Sequence, residues 1–297
     1  MVDFFYGVVE DIDDPLRAGR VRVRVHGLHP TNKQDTPTED LPWASILHST
    51  SSAGKGGSGF GGCGLLVGSD VMLVFRDPGH FQQPIILGTL PGLFAGEDGS
   101  VIKSGSDGTA RESDLGRLAT GNLTDKTIIK NKNDSVTKTS GDVSITEPNS
   151  PYAAQYTKNF TYTTPGGHVI ELDDTSGAER IHVYHKSGTF TEIHPDGTNV
   201  IKTVGDTYSI NKKKLNIVVG TDSLTSIGGD CLEEVGGDVT IFVSGNTTIR
   251  TQGDTDIESS GGMKFKSGGD MIFQSGGNIN STASGDQTIR GATVNLN

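Results

Sequence analysis

Along the last quarter of the chain, apolar and polar residues alternate, and the alternation is reset every eight residues. Glycine marks each reset, at Gly229, Gly237, Gly245, Gly253, Gly261, Gly269, Gly277 and Gly285. The following residue is Asp or Asn at seven of these eight places, Gly262 being the exception. That pairing predicts tight corners, with glycine at positive φ and the Asp or Asn side chain bonding the nearby backbone. Counted from each glycine, positions +2, +4 and +6 carry Val239, Ile241, Val243, Ile249, Ile257, Met263, Phe265, Met271, Phe273 and Ile289. Odd positions carry mainly polar residues such as Asp238, Thr240, Arg250, Asp256, Glu258, Lys264 and Lys266; Phe242 and Ile272 depart from this rule. Period two predicts strands with one buried face.

A strand of about six residues and a corner cannot enclose a core alone. Eight residues reach roughly 26 Å, one side of a triangular prism and too little for a single chain to return above itself. Three chains winding together supply all three sides and leave no lateral strand edge. The expected structure is a triple-stranded intertwined β-helix, a trimeric prism built of octads, with the ten apolar residues named above as its interior. Successive octads rise by about 4.8 Å, so eight of them give a shaft of roughly 40 Å. Outside, Arg250, Glu258 and Lys266 share position +5, and Asp256 and Lys264 share +3. Stacked opposite charges there are worth about 0–1 kcal/mol each; their use is to fix register. The octad fails at the end, where Thr293 replaces glycine and Gly291 comes early. An open prism end exposes apolar interior, which predicts a separate cap.

The first 92 residues read differently. Strand candidates are Phe5–Val9, Arg20–Val25, Trp43–Leu47, Leu65–Val67, Val71–Phe75 and Ile85–Thr89, with turn signals at Asp14-Pro15, Gly27, Asp77-Pro78-Gly79 and Pro91-Gly92. Short strands without helical periodicity predict a small β-barrel of the OB type. Residues 93–150 are rich in Gly, Ser, Thr, Asn and Lys and read as a linker with one short strand pair. Strands resume from about 152. The organisation expected is therefore all-β: an OB barrel at 1–92, a linker at 93–150 and a trimeric β-helix spike at 151–297.

Composition agrees with an extended repetitive fold. Only 32% of residues are hydrophobic and 42 of 297 are glycine, about twice the usual glycine share of roughly 7%. A repeat fold needs less core per residue because each unit packs only on its neighbours. The net charge of −11 opposes binding to a phosphate backbone, which needs a basic stripe, and opposes non-specific binding to anionic lipid. Cys63 and Cys231 form no CxxC and read as free thiols of a protein made in a reducing cytosol. Neither a signal peptide nor an apolar run of about 20 residues is expected.

Candidate chemistry is sparse. Gly57, Gly59 and Gly62 spell GxGxxG, but a strand follows rather than a helix, so the phosphate-binding context is missing. His182 and His185 stand three apart on a strand and face opposite sides; His26 and His29 are similarly spaced, with His29 in a turn. Asp254, Asp256 and Glu258 read as a solvated face beside Lys264 and Lys266. Arg20, Arg22 and Arg24 alternate with Val21, Val23 and Val25, and read as a solvated or subunit-facing stripe. No catalytic residue, cofactor or metal ligand is assigned.

Three blocks resemble one family. Gly7-Val8-Val9-Glu10-Asp11, Asp14-Pro15, Gly19-Arg20-Val21-Arg22-Val23-Arg24-Val25, Gly27-Leu28-His29-Pro30 and Leu41-Pro42-Trp43 closely resemble the N-terminal OB domain of the T-even phage central-spike family, the tail lysozymes. Gly167-His168, Asp173-Asp174-Thr175, Gly177, Glu179-Arg180, His185, Gly188-Thr189, Asp196-Gly197 and Lys202-Thr203-Val204 resemble the stretch before that family's needle, and the octads resemble the needle. Type VI secretion VgrG proteins share the later blocks. The resemblance implies a homotrimeric spike in the contractile-tail baseplate of a virion, assembled in the host cytoplasm. Its implied partners are a hub protein at the OB domain, a PAAR-type tip protein at the C-terminal end and, transiently, the host outer membrane; nucleic acid is not among them. Residues 93–150 are too few for a muramidase with two carboxylates flanking a cleft, so lysozyme activity is not carried over. A secretion-system spike and a polysaccharide-degrading tailspike are the alternatives.

Overall fold

The computed structural model describes residues 3–56, 58–59, 61, 64–90, 94–95, 101–102, 136–140 and 143–294. Five strands close the N-terminal barrel: β1 (Phe5–Asp11), β2 (Val21–Val25), β3 (Trp43–Ile46), β4 (Asp70–Asp77) and β5 (Gln82–Thr89), in the order β1-β2-β3-β5-β4. β3 and β5 run parallel, and the other neighbours antiparallel. This is the OB barrel that the strand pattern predicts. Alternation does the work: Val21, Val23 and Val25 point inward and join Val9, Ala44, Val71, Leu73, Phe75 and Ile86 in one core. Gly7 is required by close approach, since a Cβ there would stand 2.6 Å from the Arg24 carbonyl oxygen across the β1–β2 pair. Phe5, Phe75 and Phe81 pack edge to face, with centroids 5.2–5.8 Å apart, a preferred aromatic geometry.

One expected strand is absent. Leu65–Val67 is not strand; Leu65 plugs into the core, and the chain then turns, with Ser69 N–H donating to the Leu66 carbonyl and Gly68 at φ 92°. The turn spends the backbone groups that a strand would pair. Between β2 and β3 the chain adds a short 3-10 helix, Thr38–Asp40.

Within the stretch read as a linker, two small hairpins form, β6 (Phe94–Ala95) with β7 (Val101–Ile102) and β8 (Thr137–Ser140) with β9 (Val143–Thr146). Most of 93–135, with Pro91-Gly92, Cys63 and two glycines of the GxGxxG, Gly57 and Gly62, lies outside the described residues. A five-stranded antiparallel meander follows: β10 (Asn159–Thr163), β11 (Val169–Asp173), β12 (Arg180–Tyr184), β13 (Phe190–Ile193) and β14 (Asn199–Lys202). It starts later than 152, because residues 148–158 lie across one face of the sheet instead of joining it.

From 203 to 294 the described chain contains no strand. It bends at Val204–Gly205, Lys212–Lys213, Gly220–Thr221, Gly228–Gly229 and then every eight residues to Ser284–Gly285. The octad therefore begins three repeats earlier than the glycines reveal, because Lys213 and Thr221 stand in the glycine position. The corner chemistry also differs from expectation. None of the eight octad glycines has positive φ, since the chain only bends there and does not reverse. The side-chain bonds come from serine at +6: Ser259, Ser267 and Ser275 accept the N–H of Gly261, Gly269 and Gly277. Compact packing divides the chain into two units, Met1–Gly229 and Asp230–Asn297.

Candidate assembly surface

One face of the meander buries charged side chains beside a small apolar cluster of Val169, Tyr184 and Phe190. Side chains of β11, β12 and β13 that point to one face include Glu171, Asp173, Arg180, His182 and Glu192, each no more than 3% exposed. The other face carries Phe160, Tyr162, Ile170, Leu172, Ile181, Val183, Ile193 and Ile201, all of them 37–70% exposed. Register places these apolar residues beside one another: Phe160 pairs Leu172, Tyr162 pairs Ile170, Ile170 pairs Val183, Leu172 pairs Ile181, and Ile181 pairs Ile193. A contiguous apolar sheet face left open marks an interaction site.

The polar face is closed by the chain's own residues 148–158. Arg180 bridges two carboxylates: its Nη2 contacts Glu171 and its Nη1 lies 3.2 Å from Glu192 Oε1. Asn159 Nδ2 donates to Glu171 Oε1 at 2.8 Å, and His182 Nδ1 lies 3.2 Å from Glu171 Oε2. Burial opposes the charged form of Glu171, yet the His182 hydrogen bond, the Arg180 charge and Asn159 prevail and hold its carboxyl below the usual range. From the covering segment, Ser150 donates to Glu192 at 2.9 Å, and the Tyr152 ring lies 4.6 Å from the Arg180 guanidinium. Burial pushes the Tyr152 hydroxyl up to about 12. Lys202 donates to Glu147 at 2.9 Å and ties the end of the β8–β9 hairpin to β14. Buried charges persist only when paired, and these pairs fix the segment over the sheet.

The octads expose a second apolar surface. All ten residues assigned to the prism interior are exposed in the single chain, from 46% for Met271 to 82% for Ile241. No ion pair joins Arg250, Glu258 and Lys266, or Asp256 and Lys264, among the described residues. A Cβ built at any of the eight octad glycines meets nothing within 4 Å, so the single chain gives no steric reason for glycine there. Cys231, at +2 of its octad, is a free and exposed thiol.

In the barrel the arginine stripe is neither solvated nor free. Arg24 reaches Glu10 through Nε at 2.8 Å and Nη2 at 3.0 Å, and also donates to the carbonyls of Pro30 and Thr36. Arg22 Nη1 donates to the carbonyls of Thr38, Glu39 and Leu41. Arg20 pairs with Asp14, which also accepts the N–H groups of Leu16, Ala18 and Arg20. These bonds clamp the 12–20 and 27–41 loops to β2. Hydrogen bonding from Arg24 holds Glu10 down to about 2 against the cost of burial, with help from Thr38 and Lys33. The Arg20 pair and the backbone donors hold Asp14 well below the carboxylate range. His29 Nδ1 accepts the Val25 N–H at 3.0 Å, and burial lowers its pKa. His182 is buried and His185 exposed, on opposite sides as their spacing predicts.

The sequence signal for the apolar sheet face was present, as Ile170/Leu172 and Ile181/Val183. The buried charges carried none, because Glu, Arg and His are ordinarily surface residues.

Comparison with known proteins shows what the chain is similar to. The Gp5 N-terminal OB domain family matches residues 27–160. That match begins just after β2 and ends in β10, whereas backbone pairing shows that β1 and β2 complete the barrel. Protein Gp5 of Vibrio phage KVP40 is 33% identical over an alignment of 264 residues, and the match takes in 73% of this chain and 61% of that protein. The pre-baseplate central spike protein Gp5 of Enterobacteria phage T4 is 42% identical over 97 residues, 31% of this chain and 17% of that protein. The chain thus spans about three fifths of the KVP40 protein and a much smaller part of the T4 protein. The first strands thus form an OB barrel, and in sequence the chain is similar to the Gp5 proteins of these two phages.

Proposed function

We propose that the chain is one subunit of a homotrimeric, non-enzymatic spike in a contractile-tail baseplate, driven through the host outer envelope when the sheath contracts. One observation carries this reading. A single copy leaves open both the apolar face of β10–β14 and the even positions of the octads, while it buries its charges under its own strap. Burying one large apolar side chain contributes roughly 1.5–3 kcal/mol, so surfaces of this extent are covered in the working assembly. Three copies cover them: eight-residue rungs close only as a three-sided prism, and the neighbouring chains then supply the crowding that favours glycine at the corners from Gly229 onward. Each strand gains partners on both edges, which stiffens the shaft against buckling. The barrel is the end that docks on the baseplate hub, and the blunt far end takes a PAAR-type tip protein. The particle is the virion tail, with assembly in the host cytoplasm.

The deciding measurement is the mass of the purified chain in solution, with the same sample run unboiled in SDS. A species of three times the 31.2 kDa chain mass that survives SDS is the expected result. A folded monomer removes the prism, because its rungs cannot close alone.

A further inference from the structure

The barrel carries a site that neither the prism nor the clamp accounts for. Arg20, Trp43, Ser45, Arg76, Gln83, Pro84 and Ile85 line an open depression of about 320 Å³ on the outer side of β2, β3, β5 and β4. No acidic residue is among them, although the chain as a whole carries −11. Trp43 is held rigidly at its base: the Arg22 guanidinium lies 4.4 Å from the ring centroid and that of Arg20 lies 5.5 Å from it. Both arginines are spoken for, Arg20 by Asp14 and Arg22 by three carbonyls and by Asp11 at 3.5 Å. Arg76 differs. It is exposed and has no ion-pair partner among the described residues.

Backbone strain points to the same place. Gln83 takes φ 56° although it is not glycine and precedes Pro84. The residue before proline is driven toward extended conformations, so a left-handed Gln83 is costly, and such strain concentrates at functional positions. It lies across the β4–β5 ladder from Arg76, between the pairs Asp77–Gln82 and Phe75–Pro84.

We propose that this depression is the barrel's docking point for a protein segment bearing a carboxylate. Arg76 supplies the charge, Ser45 and Gln83 the polar contacts, and Trp43 a preorganised aromatic wall. Buried tryptophan and arginine dominate the energetics of protein interfaces, and a planar guanidinium suits a carboxylate. One uncompensated arginine in a shallow depression fits an acidic side chain and its neighbours. It does not fit a polynucleotide, which needs a basic track and meets a strongly acidic protein here. The inference rests on the spike reading only for the statement that the partner is a baseplate protein.

Trp43 is the sole tryptophan, so its emission reports this site in the full-length chain. The experiment titrates the intact protein with hexaglutamate peptide and, at matched ionic strength, with a single-stranded oligonucleotide, for the wild type and for Arg76→Gln and Ser45→Ala. The expected result is a saturable emission change with hexaglutamate and little with the oligonucleotide. Arg76→Gln weakens the peptide at least tenfold and Ser45→Ala weakens it severalfold, both with unchanged thermal midpoints. An unresponsive wild type, equal binding by Arg76→Gln, or preferential oligonucleotide binding overturns the proposal. The mass of the same samples reports the trimer separately, so failure of the docking site and failure of the spike reading are told apart.

Discussion

At the scale of single residues, the barrel depends on a few buried charges whose partners lie far away in sequence. Glu10 is the clearest. Its folded pKa of about 2 lies below an ordinary 4.5, so the folded state favours the ionised form. The resulting stabilisation is complete above the unfolded value and is lost as pH falls from about 4.5 to about 2. Unscreened, a shift of this size would correspond to roughly 3 kcal/mol, and solvent around this part-buried pair reduces it. The barrel's thermal midpoint is therefore expected to fall steeply across that window, and Glu10→Gln is expected to lower the midpoint at neutral pH and flatten the acid limb. A pH series of calorimetric scans checks both; an unchanged acid limb in the variant argues that Asp14 and other carboxylates carry the effect. Only half of this was legible in the sequence. Alternation of Arg20, Arg22 and Arg24 with valines shows which side faces the core. It cannot show that Arg24 turns back to Glu10 and to the carbonyls of Pro30 and Thr36, because loop paths decide those contacts.

At the scale of elements, the β10–β14 meander stands on one cation. Arg180 is buried between Glu171 and Glu192, and removing it takes the guanidinium from between two buried carboxylates. Breaking a buried charge network from one side costs about 3–5 kcal/mol, so Arg180→Met is expected to destabilise the meander by that order. Denaturant unfolding followed by circular dichroism reads the loss. The opposite face gives a different outcome. Val183 is half-exposed in one copy and touches none of the charge network, so Val183→Asp is expected to leave the single chain folded while it abolishes the trimeric species in solution. A trimer that persists in Val183→Asp argues that the copies meet elsewhere. Period-two apolar pairs in these strands were readable as a buried face. What could not be read was that the single chain leaves that apolar face open and buries the other one, since Glu171, Arg180 and Glu192 look like a solvated side until the 148–158 segment is seen to cover them.

At the scale of the whole molecule, the octad is the unit that repeats along the C-terminal stretch. Glycine marked it from Gly229 onward, but the bends begin at Val204–Gly205, and in the first repeats Lys213 and Thr221 occupy the corner. The earlier repeats were hidden because the sequence signal was the glycine, whereas the backbone needs only a bend without positive φ. A bend tolerates other residues, and the +6 positions ahead of Lys213 and Thr221 are Asn211 and Val219, so no serine marks those corners either. If the repeat is modular, with each octad packing only on its neighbours, then removing one whole octad preserves every corner and every in–out alternation. Deletion of residues 253–260 is therefore expected to give an SDS-resistant trimer, shorter by about one strand spacing of 4.8 Å. Deletion of 253–256 alone keeps the alternation but moves every later corner by half a rung relative to the repeats before it, so that corners face strand centres. That variant is expected to lose SDS resistance. Both are read by unboiled gels and solution mass on proteins that differ by four residues, which separates register from simple loss of chain. Equal stability of the two deletions would mean that the glycine-marked corners do not set the packing, and the prism would have to be abandoned in favour of a fold in which the octad is only a sequence habit.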